Sequence, residues 1–374
     1  MVHSASDKIV GIECLRFFSS LSILFWHHQH FGFGAAGIDI IRSEQPFYPL
    51  LKPFYQFGDL GVQIFWVISG FIFFYKYFDR IAQGAVSFRT FAVYRFSRLY
   101  PLHLATLLFV ALAQWVYSAN HGVAFVYSGN TATQFVQHMV FVQNWVSPSL
   151  SFNGPSWAVS VEVLVYIVFF VTALWLRVGW IYLIMALAVL VLSGAGNWNL
   201  AQCILYFYVG GLVALCRSHS RTCRGGPARY LFNVLGPVAM SGALVIFVMT
   251  GLEYDAAYRS ELFRVLGITG IVWLFLMLNP LFLSTQRTWV FLGNMTYASY
   301  MIHFPVQLIL VLLLPVLDLT VDYRDPGLLV AYVGVTLLLS PLVYQSFEKP
   351  AQQMLRDMGR RARAEASGTF DKTL

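Results

Sequence analysis

The chain has 374 residues, of which 58% are hydrophobic and only 11% are charged, and its mean hydropathy is +0.66. Soluble domains carry about 25% charged residues, so this composition excludes an ordinary soluble protein and predicts a polytopic membrane protein. The formal net charge of +7 comes from basic residues in short segments between apolar stretches, which indicates membrane orientation rather than nucleic-acid binding.

The first apolar segment, residues 11–31, is long enough to cross a bilayer but carries groups that a bilayer disfavours. Arg16 and His27 are eleven residues apart, so both project from one helix face, roughly 16 Å apart along the axis. Glu13 lies three residues before Arg16, where an ion pair would reduce the cost of burying the guanidinium. This polar stripe requires partners from other helices or a water-filled cavity.

The HHQH run in this segment has the composition of a metal site but not its geometry. Only His27 and His30 share a helix face, and no Asp, Glu or Cys stands nearby in the sequence. We therefore expect no metal here, and the four cysteines show neither metal-ligand nor disulfide spacing.

Windows of about 20 apolar residues predict an all-α, polytopic integral membrane protein with about ten transmembrane helices in one bundle. With a cytoplasmic N-terminus, Lys and Arg concentrate in the inner loops, while the segment from Ser118 to Pro155 contains neither. This asymmetry predicts cytoplasmic termini, a transmembrane domain over 1–350 and a basic cytoplasmic tail over 351–374, either on the inner leaflet or disordered. The predicted spans are 11–31, 58–78, 99–117, 156–176, 179–194, 199–216, 231–250, 264–283, 294–314 and 326–346.

The second predicted span contains Ser69 and Gly70, small residues that let helices approach closely. Beyond it, Arg95 and Arg98 are three residues apart just before Pro101, on one helix face at the expected inner interface. The two arginines either anchor the topology or clamp a phosphate-rich ligand from the cytoplasm, since guanidinium groups bind phosphate bidentately. The sequence leaves both interpretations open.

Later spans carry further polar groups. Ser160 and Glu162 follow a helix start at Ser156. If this helix enters from outside, Glu162 lies roughly 9 Å below the outer end, at a depth comparable to that of His27, so the two side chains can meet. The alternative for Glu162 is a protonated carboxyl group hydrogen-bonded inside the bundle. His303, in the ninth span, is either a satisfied bundle histidine or part of a site.

Five motifs together resemble the acyltransferase 3 family of membrane acyltransferases, in the family's order and over nearly the whole chain. They are Arg16 with His27, GVQIFWVISGF at 61–71, YRFSRLYP at 94–101, PSWAVSVEVLVY at 155–166 and LGNMTYASYMIHFP at 292–305. The resemblance implies transfer of an acyl group, commonly acetyl from acetyl-CoA, to a hydroxyl of a carbohydrate or lipid-linked glycan. The reaction would occur at the far side of a bacterial cytoplasmic (inner) membrane.

The resemblance also implies catalytic roles for three residues. His27 is expected to act as general base on the acceptor hydroxyl. Glu162 is expected to orient His27 or to bind the sugar hydroxyls, and Arg16 to hold the pantetheine region or a charged neighbour. An acyl-histidine relay is the alternative to direct transfer. Arg95 and Arg98 would receive the phosphates of acyl-CoA, which is a co-substrate, with no tightly bound cofactor. Further substrate contacts are expected from Glu13, Ser160 and His303.

A proton-coupled membrane transporter is the leading rival function, because buried Glu, Arg and His residues also mark ion pathways. A non-catalytic membrane scaffold or sensor is the second rival, but it would not need the pairing of Arg16 with His27. A transporter predicts inverted repeats and broken helices at matching positions, and the sequence shows no internal symmetry. The expected partners are therefore the lipid bilayer, acyl-CoA and a glycan or lipid-linked sugar acceptor, with no nucleic acid.

Overall fold

The computed structural model describes residues 8–33, 40–145, 149–175, 196–222 and 257–366, with the single residues 194 and 242. Over these residues the regular elements are helices, with no strand among them. The α-helices are α1 (Val10–His27), α2 (Tyr48–Phe57), α3 (Leu60–Phe73), α4 (Asp79–Ala82), α5 (Phe88–His121), α6 (Ala132–Met139), α7 (Trp157–Trp175), α8 (Trp198–Thr222), α9 (Ala257–Met277), α10 (Gln286–Asn294), α11 (Thr296–Leu313), α12 (Pro326–Val343) and α13 (Lys349–Ala366).

The number of spans differs from the sequence prediction. Six helical segments of the described residues are long and apolar enough to cross a membrane, or seven if one helix pair bent by 57° counts as a span. The predicted count of about ten is not confirmed, and the windows 179–194 and 231–250 lie outside the described residues apart from single positions. Helix α1 is not among the six, because Glu13, Arg16 and His27 interrupt its apolar residues.

Helix α1 packs against α2, α3, α9, α10 and α11. Its polar stripe faces α11, and the two helices run parallel. They meet at three successive levels, which are Arg16 with Thr296, Ser20 with Ser299, and His27 with His303. The expectation that the stripe requires partners from another helix is confirmed.

Helices α3 and α8 pack together so closely that their backbones touch. Gly70 of α3 lies against Phe207, and a Cβ atom at position 70 would overlap the Phe207 carbonyl oxygen. Gly210 of α8 lies in the same way against the carbonyl oxygen of Val67. The predicted close approach at Gly70 is therefore confirmed, since only glycine leaves room for it. This contact also fixes the position of the neighbouring Ser69.

The segment before α7 enters the bundle before the helix begins. The Asn153 side-chain amide donates to the Met301 carbonyl oxygen at 3.1 Å, and the Tyr300 hydroxyl donates to the Pro155 carbonyl oxygen at 2.5 Å. Helix α7 therefore begins at the level of Tyr300, inside the bundle. Glu162 lies roughly 9 Å further along the helix axis from that start.

Two helical segments are longer than a bilayer requires. Helix α5 has 34 residues and the segment Pro326–Arg361 has 36, so they measure about 51 and 54 Å, against a hydrocarbon core of about 30 Å. Helix α12 continues into α13 through one π-helical turn, Tyr344–Glu348, and α13 packs against α5. The segment after residue 350, expected on the inner leaflet or disordered, is helical to Ala366 rather than disordered, and it packs against α5.

Candidate active site

A cavity of about 290 Å³ lies between α1, α3, α5, α7 and α11, at the end of the bundle where α1 begins. Six basic side chains and two carboxylates line it, which gives a formal charge of +4. An excess of positive charge enclosed by apolar helices favours an anionic ligand. The charged residues of the lining are Lys8, Glu13, Arg16, Lys76, Arg95, Arg98, Glu162 and Arg356.

Arg16 is held in this cavity from two sides. Its Nη1 atom donates to Glu13 Oε2 and its Nη2 atom donates to Thr296 Oγ1, each at 3.0 Å. The other Glu13 oxygen lies 3.4 Å from Lys8 Nζ, so two cations neutralise one buried carboxylate. Gly293 packs on that carboxylate, where a Cβ atom would overlap it. Burial lowers the pKa of the Lys8 ammonium group more than the Glu13 carboxylate raises it.

Arg95 and Arg98 lie one turn apart on α5 and line the same cavity. Arg95 Nη2 donates to the Tyr77 hydroxyl at 2.7 Å, and its guanidinium lies 4.5 Å from the centroid of the Phe73 ring, a cation–π contact. Arg98 is half-buried and interacts electrostatically with the Glu348 carboxylate. Within the described residues no hydrogen bond engages the Arg98 guanidinium, so its donors can bind a ligand.

Glu162 reaches the cavity from α7 and pairs with hydroxyl groups rather than with His27. The Ser69 hydroxyl donates to Glu162 Oε1 at 2.5 Å, and the Tyr166 hydroxyl oxygen lies 3.3 Å from Ser69 Oγ. The structure therefore does not bring Glu162 to His27. The expected meeting assumed that α7 begins at the surface, whereas it begins at the level of Tyr300.

His27 lies at the opposite end of α1 and is only 7% exposed. Its Nδ1 atom lies 2.9 Å from the Ile23 carbonyl oxygen. Because a carbonyl oxygen only accepts, Nδ1 carries the proton, and the neutral ring presents its lone pair at Nε2. The ring centroid lies 4.6 Å from that of His303 and 4.7 Å from that of His30.

A chain of hydrogen bonds holds the end of α1. The Tyr127 hydroxyl donates to His30 Nε2 at 3.3 Å, His30 Nδ1 donates to Gln307 Oε1 at 2.9 Å, and Gln307 Nε2 donates to the His27 carbonyl oxygen at 2.7 Å. Sequence reasoning identified neither Tyr127 nor Gln307. Gln307 is an amide within an apolar stretch of α11, and intramembrane polar groups require partners. That feature of the sequence could have identified it as part of a polar contact.

His303 and Tyr300 connect His27 to the cavity. Tyr300 lines the cavity, while His27 and His303 do not. His303 Nδ1 donates to the Tyr300 carbonyl oxygen at 2.5 Å, and its buried Nε2 has no hydrogen-bond partner among the described residues. Arg16 and His27 thus share the face toward α11, as predicted, but only Arg16 lines the cavity.

Ser160, a predicted substrate contact, lies away from the cavity and anchors the segment before α7. Its hydroxyl donates to the Phe141 carbonyl oxygen at 2.7 Å, and its own carbonyl oxygen accepts from Trp145 Nε1 at 2.8 Å. The side chain is fully buried. Ser160 therefore holds this segment on α7.

Three basic residues of the cavity lie outside the five motifs found in the sequence. Lys8 precedes α1, Lys76 lies in the π-helical turn after α3, and Arg356 belongs to α13. Each counts in the sequence as part of the basic asymmetry that indicates orientation. Only the packing of α13 on α5 shows that these charges converge with those of Arg95 and Arg98.

Known proteins similar to this chain were found by family and by sequence. Residues 9–345 match a family model described as an acyltransferase domain. Over 176 residues the chain is 28% identical to a protein named Acyltransferase MdmB from Streptomyces mycarofaciens. The aligned residues are 46% of this chain and 40% of that protein. The chain thus matches less than half the length of this curated relative. No solved structure matches the chain.

Proposed function

The chain belongs to the acyltransferase family whose model matches residues 9–345, and from this premise we propose that it transfers an acyl group, most simply acetyl, from acyl-CoA to a hydroxyl of a carbohydrate or lipid-linked glycan. The observation that carries the proposal is the basic cavity of about 290 Å³. Acyl-CoA joins a thioester to a nucleotide with several negative charges, and the cavity offers the complementary charge. Acyl-CoA is thus a co-substrate in this proposal, and no resident cofactor takes part.

Arg95 and Arg98 are assigned to the phosphates of the donor. Arginine binds phosphate bidentately and keeps its charge in an apolar surrounding. Arg98, with N–H donors left free by the described residues, and Arg95, whose guanidinium lies over the Phe73 ring, both line the cavity. Arg16, held by Glu13 and Thr296 on the helix that carries His27, is assigned to the pantetheine arm.

His27 is assigned as the general base. Its Nε2 atom would take the proton of the acceptor hydroxyl while the hydroxyl oxygen attacks the thioester carbonyl carbon. The carbon–sulfur bond then breaks, and the CoA thiolate leaves and takes up the proton as a thiol, so that an ester and CoA are the products. The hydrogen bond from Nδ1 to the Ile23 carbonyl supports this role, because it leaves the lone pair at Nε2. A relay in which Nε2 itself first receives the acyl group gives the same products.

Glu162 is assigned to substrate positioning in the cavity. Its carboxylate accepts from the Ser69 hydroxyl, and it keeps further acceptor capacity for the amide N–H groups of a pantetheine arm. This assignment replaces the expectation, drawn from the family resemblance, that Glu162 orients His27 or binds the sugar hydroxyls. His303 is assigned to hold His27, since their rings are in contact.

We assign the protein to the bacterial cytoplasmic membrane, with both termini and the basic cavity on the cytoplasmic side. The support is that Lys8, Arg356 and the arginines of α5 converge at one end of the bundle, as expected for the side that retains positive charge. His27 lies toward the other end, where a surface glycan would be modified.

The test is CoA release and acetyl transfer by purified protein with labelled acetyl-CoA. We expect His27→Ala to lower both rates by a factor of about 10² to 10⁴, the usual contribution of a positioned general base. His121→Ala, at an exposed histidine that ends α5, is the matched control and should keep the wild-type rates. Normal transfer by the His27 variant, with an intact size-exclusion profile, would contradict the assignment.

The acceptor class has its own test in the producing strain. Deleting the protein should remove an acetyl ester from a surface glycan or a lipid-linked precursor. Base-labile esters in the glycan fractions of the wild-type and deletion strains are compared by mass spectrometry. Restoration by the wild-type protein but not by His27→Ala is expected, while unchanged ester content in every glycan fraction would speak against a glycan acceptor.

A further inference from the structure

A second cavity, of about 170 Å³, lies beside the first, between the beginning of α5 and α13. Three arginines line it, namely Arg89, Arg356 and Arg360, and no acidic side chain of the described residues does so. Arg360 pairs with Asp357 at 3.3 Å, and both side chains are exposed. Such a pair is weak in water, so a more highly charged ligand can displace it.

The two cavities share part of their lining. Tyr94 and Arg356 line both of them. Arg356 is fixed at this junction, since its Nε atom donates to Ser97 Oγ at 3.3 Å and its guanidinium lies 4.9 Å from the centroid of the Tyr94 ring. A ligand that enters the first cavity from this side therefore passes Arg356.

Basic side chains of α5 and α13 lead from one cavity to the other. Arg89 lies at the second cavity, Arg356 at the junction, and Arg95 and Arg98 in the first cavity. Arg89 and Arg98 are nine residues apart, about 14 Å along the helix axis and about 180° around it, and Tyr94 and Arg356 lie between them at the junction. An extended ligand with phosphates at more than one position fits this arrangement better than a compact anion does.

We propose that the second cavity binds the 3′-phosphate of the donor's nucleotide, so that α13 forms part of the donor site. This inference rests on the proposed function, because it takes acyl-CoA as the donor. From one end to the other, CoA carries a 3′-phosphorylated adenosine, a diphosphate, the pantetheine arm and the thiol. When Arg95 and Arg98 bind the diphosphate, Arg89 and Arg360 lie at the 3′-phosphorylated adenosine. The family match ends at residue 345, before Arg356 and Arg360.

A lipid headgroup presents similar phosphate chemistry at the same depth. A phosphodiester carries one negative charge, whereas a phosphomonoester carries between one and a half and two at pH 7. The second cavity combines several guanidinium groups with a direct connection to the first cavity. Both features favour a phosphomonoester on a ligand that extends into the first cavity.

The test compares the binding of CoA and 3′-dephospho-CoA to purified protein in detergent, measured by calorimetry. We expect the wild type to prefer CoA by about tenfold or more, the usual effect of one or two charge-assisted hydrogen bonds. The double variant Arg89→Gln with Arg360→Gln should lose this preference and bind CoA about as weakly as dephospho-CoA. Both side chains are exposed, so the fold should be retained, which size-exclusion chromatography checks.

Arg361→Gln is the matched control, because Arg361 is exposed on the same helix and lines neither cavity. It should keep the wild-type preference for CoA. A double variant that also keeps this preference would overturn the inference. If that variant instead lost only co-purified phosphatidylglycerol, the arginines would bind a lipid headgroup, and the inference would equally be overturned.

This experiment also separates the inference from the proposed function. Binding of CoA requires no acyl transfer, so a wild type that prefers CoA but releases none from acetyl-CoA would contradict the function alone. A protein that transfers acetyl groups while its double variant keeps the wild-type preference would contradict the donor site alone.

Discussion

The ion pair between Glu13 and Arg16 is the clearest electrostatic feature at the scale of single residues. Their side chains are only 8% and 14% exposed, and the two charges are 3.0 Å apart. Removing one partner of a buried pair costs about 3–5 kcal/mol, because the other charge remains buried without compensation. Lys8, 3.4 Å from Glu13, offsets part of that cost.

Arg16→Met should therefore lower the free energy of unfolding by about 3 kcal/mol, at the lower end of that range. The double variant Arg16→Met with Glu13→Gln should be more stable than the single variant, since it removes a buried carboxylate whose remaining cationic partner is Lys8. Unfolding in detergent, followed by circular dichroism, measures both differences. Equal stability of the single and double variants would show that Lys8 alone compensates the buried Glu13 carboxylate.

The donor arginines give a kinetic prediction. Arg98→Gln should raise the KM for acetyl-CoA by about tenfold, the effect of losing one charge-assisted phosphate contact, with little change in kcat. Arg80→Gln, an exposed arginine of α4 that lies outside both cavities, serves as the control. An unchanged KM in the Arg98 variant would return this residue to the role of a topology anchor.

At this scale the sequence predicted a contact within one helix but not a contact between helices. The pair of Glu13 with Arg16 follows from a spacing of three residues on one helix, and the structure has it. The expected contact of Glu162 with His27 is absent, because the depth of Glu162 depends on where α7 begins. That position is set by bonds from Asn153 to α11, which no local pattern reveals.

At the scale of elements, the contact of α3 with α8 depends on the absence of side chains. A methyl group at Gly70 would overlap a backbone carbonyl oxygen, which cannot move without shifting α8. Gly70→Ala should therefore destabilise the protein by about 1–3 kcal/mol, as overpacking does. Gly334→Ala is the control, because a methyl group added to Gly334 of α12 would have no atom of the described residues within 4 Å.

The control should be neutral or more stable by about 0.5–1 kcal/mol, since alanine favours a helix. Thermal unfolding of both variants in the same detergent provides the comparison. Similar melting temperatures for the two variants would indicate that α8 shifts freely to accommodate the methyl group.

The positions of several helices could be predicted from apolar windows, but their ends could not. The window 99–117 falls within α5, yet the helix begins at Phe88. Its first turns contain Arg89, Arg95 and Arg98. These charged residues lower the mean hydropathy, so the apolar window begins after them. These turns are covered by α13, a long-range contact that a window of 20 residues cannot detect.

At the scale of the whole molecule, the two ends of the bundle differ in charge. The end that holds the basic cavity also carries the exposed arginines of α13. Helix α2, with the exposed Lys52, packs on the end where α1 finishes, through the ring contact of Phe54 with Phe25. The proposed orientation therefore predicts that Lys52 and Arg361 lie on opposite sides of the membrane.

Cysteines introduced as Lys52→Cys and Arg361→Cys test this orientation in a variant without the natural cysteines. A membrane-impermeant maleimide added to intact cells should label the Lys52→Cys protein and not the Arg361→Cys protein. In inverted membrane vesicles the labelling should reverse. Labelling of both from the same side would contradict the arrangement of the two ends.

Helix α1 carries Arg16 at the cavity and His27 beside His303. Deleting one residue between them, for instance Leu21, would rotate the imidazole by about 100° relative to the guanidinium and shorten their separation by about 1.5 Å. Exchanging Phe18, which is 47% exposed, for another apolar side chain would change neither the angle nor the distance between the guanidinium and the imidazole. The number of residues in this stretch is therefore under tighter constraint than their identity, and a one-residue deletion should inactivate the protein where many apolar replacements do not.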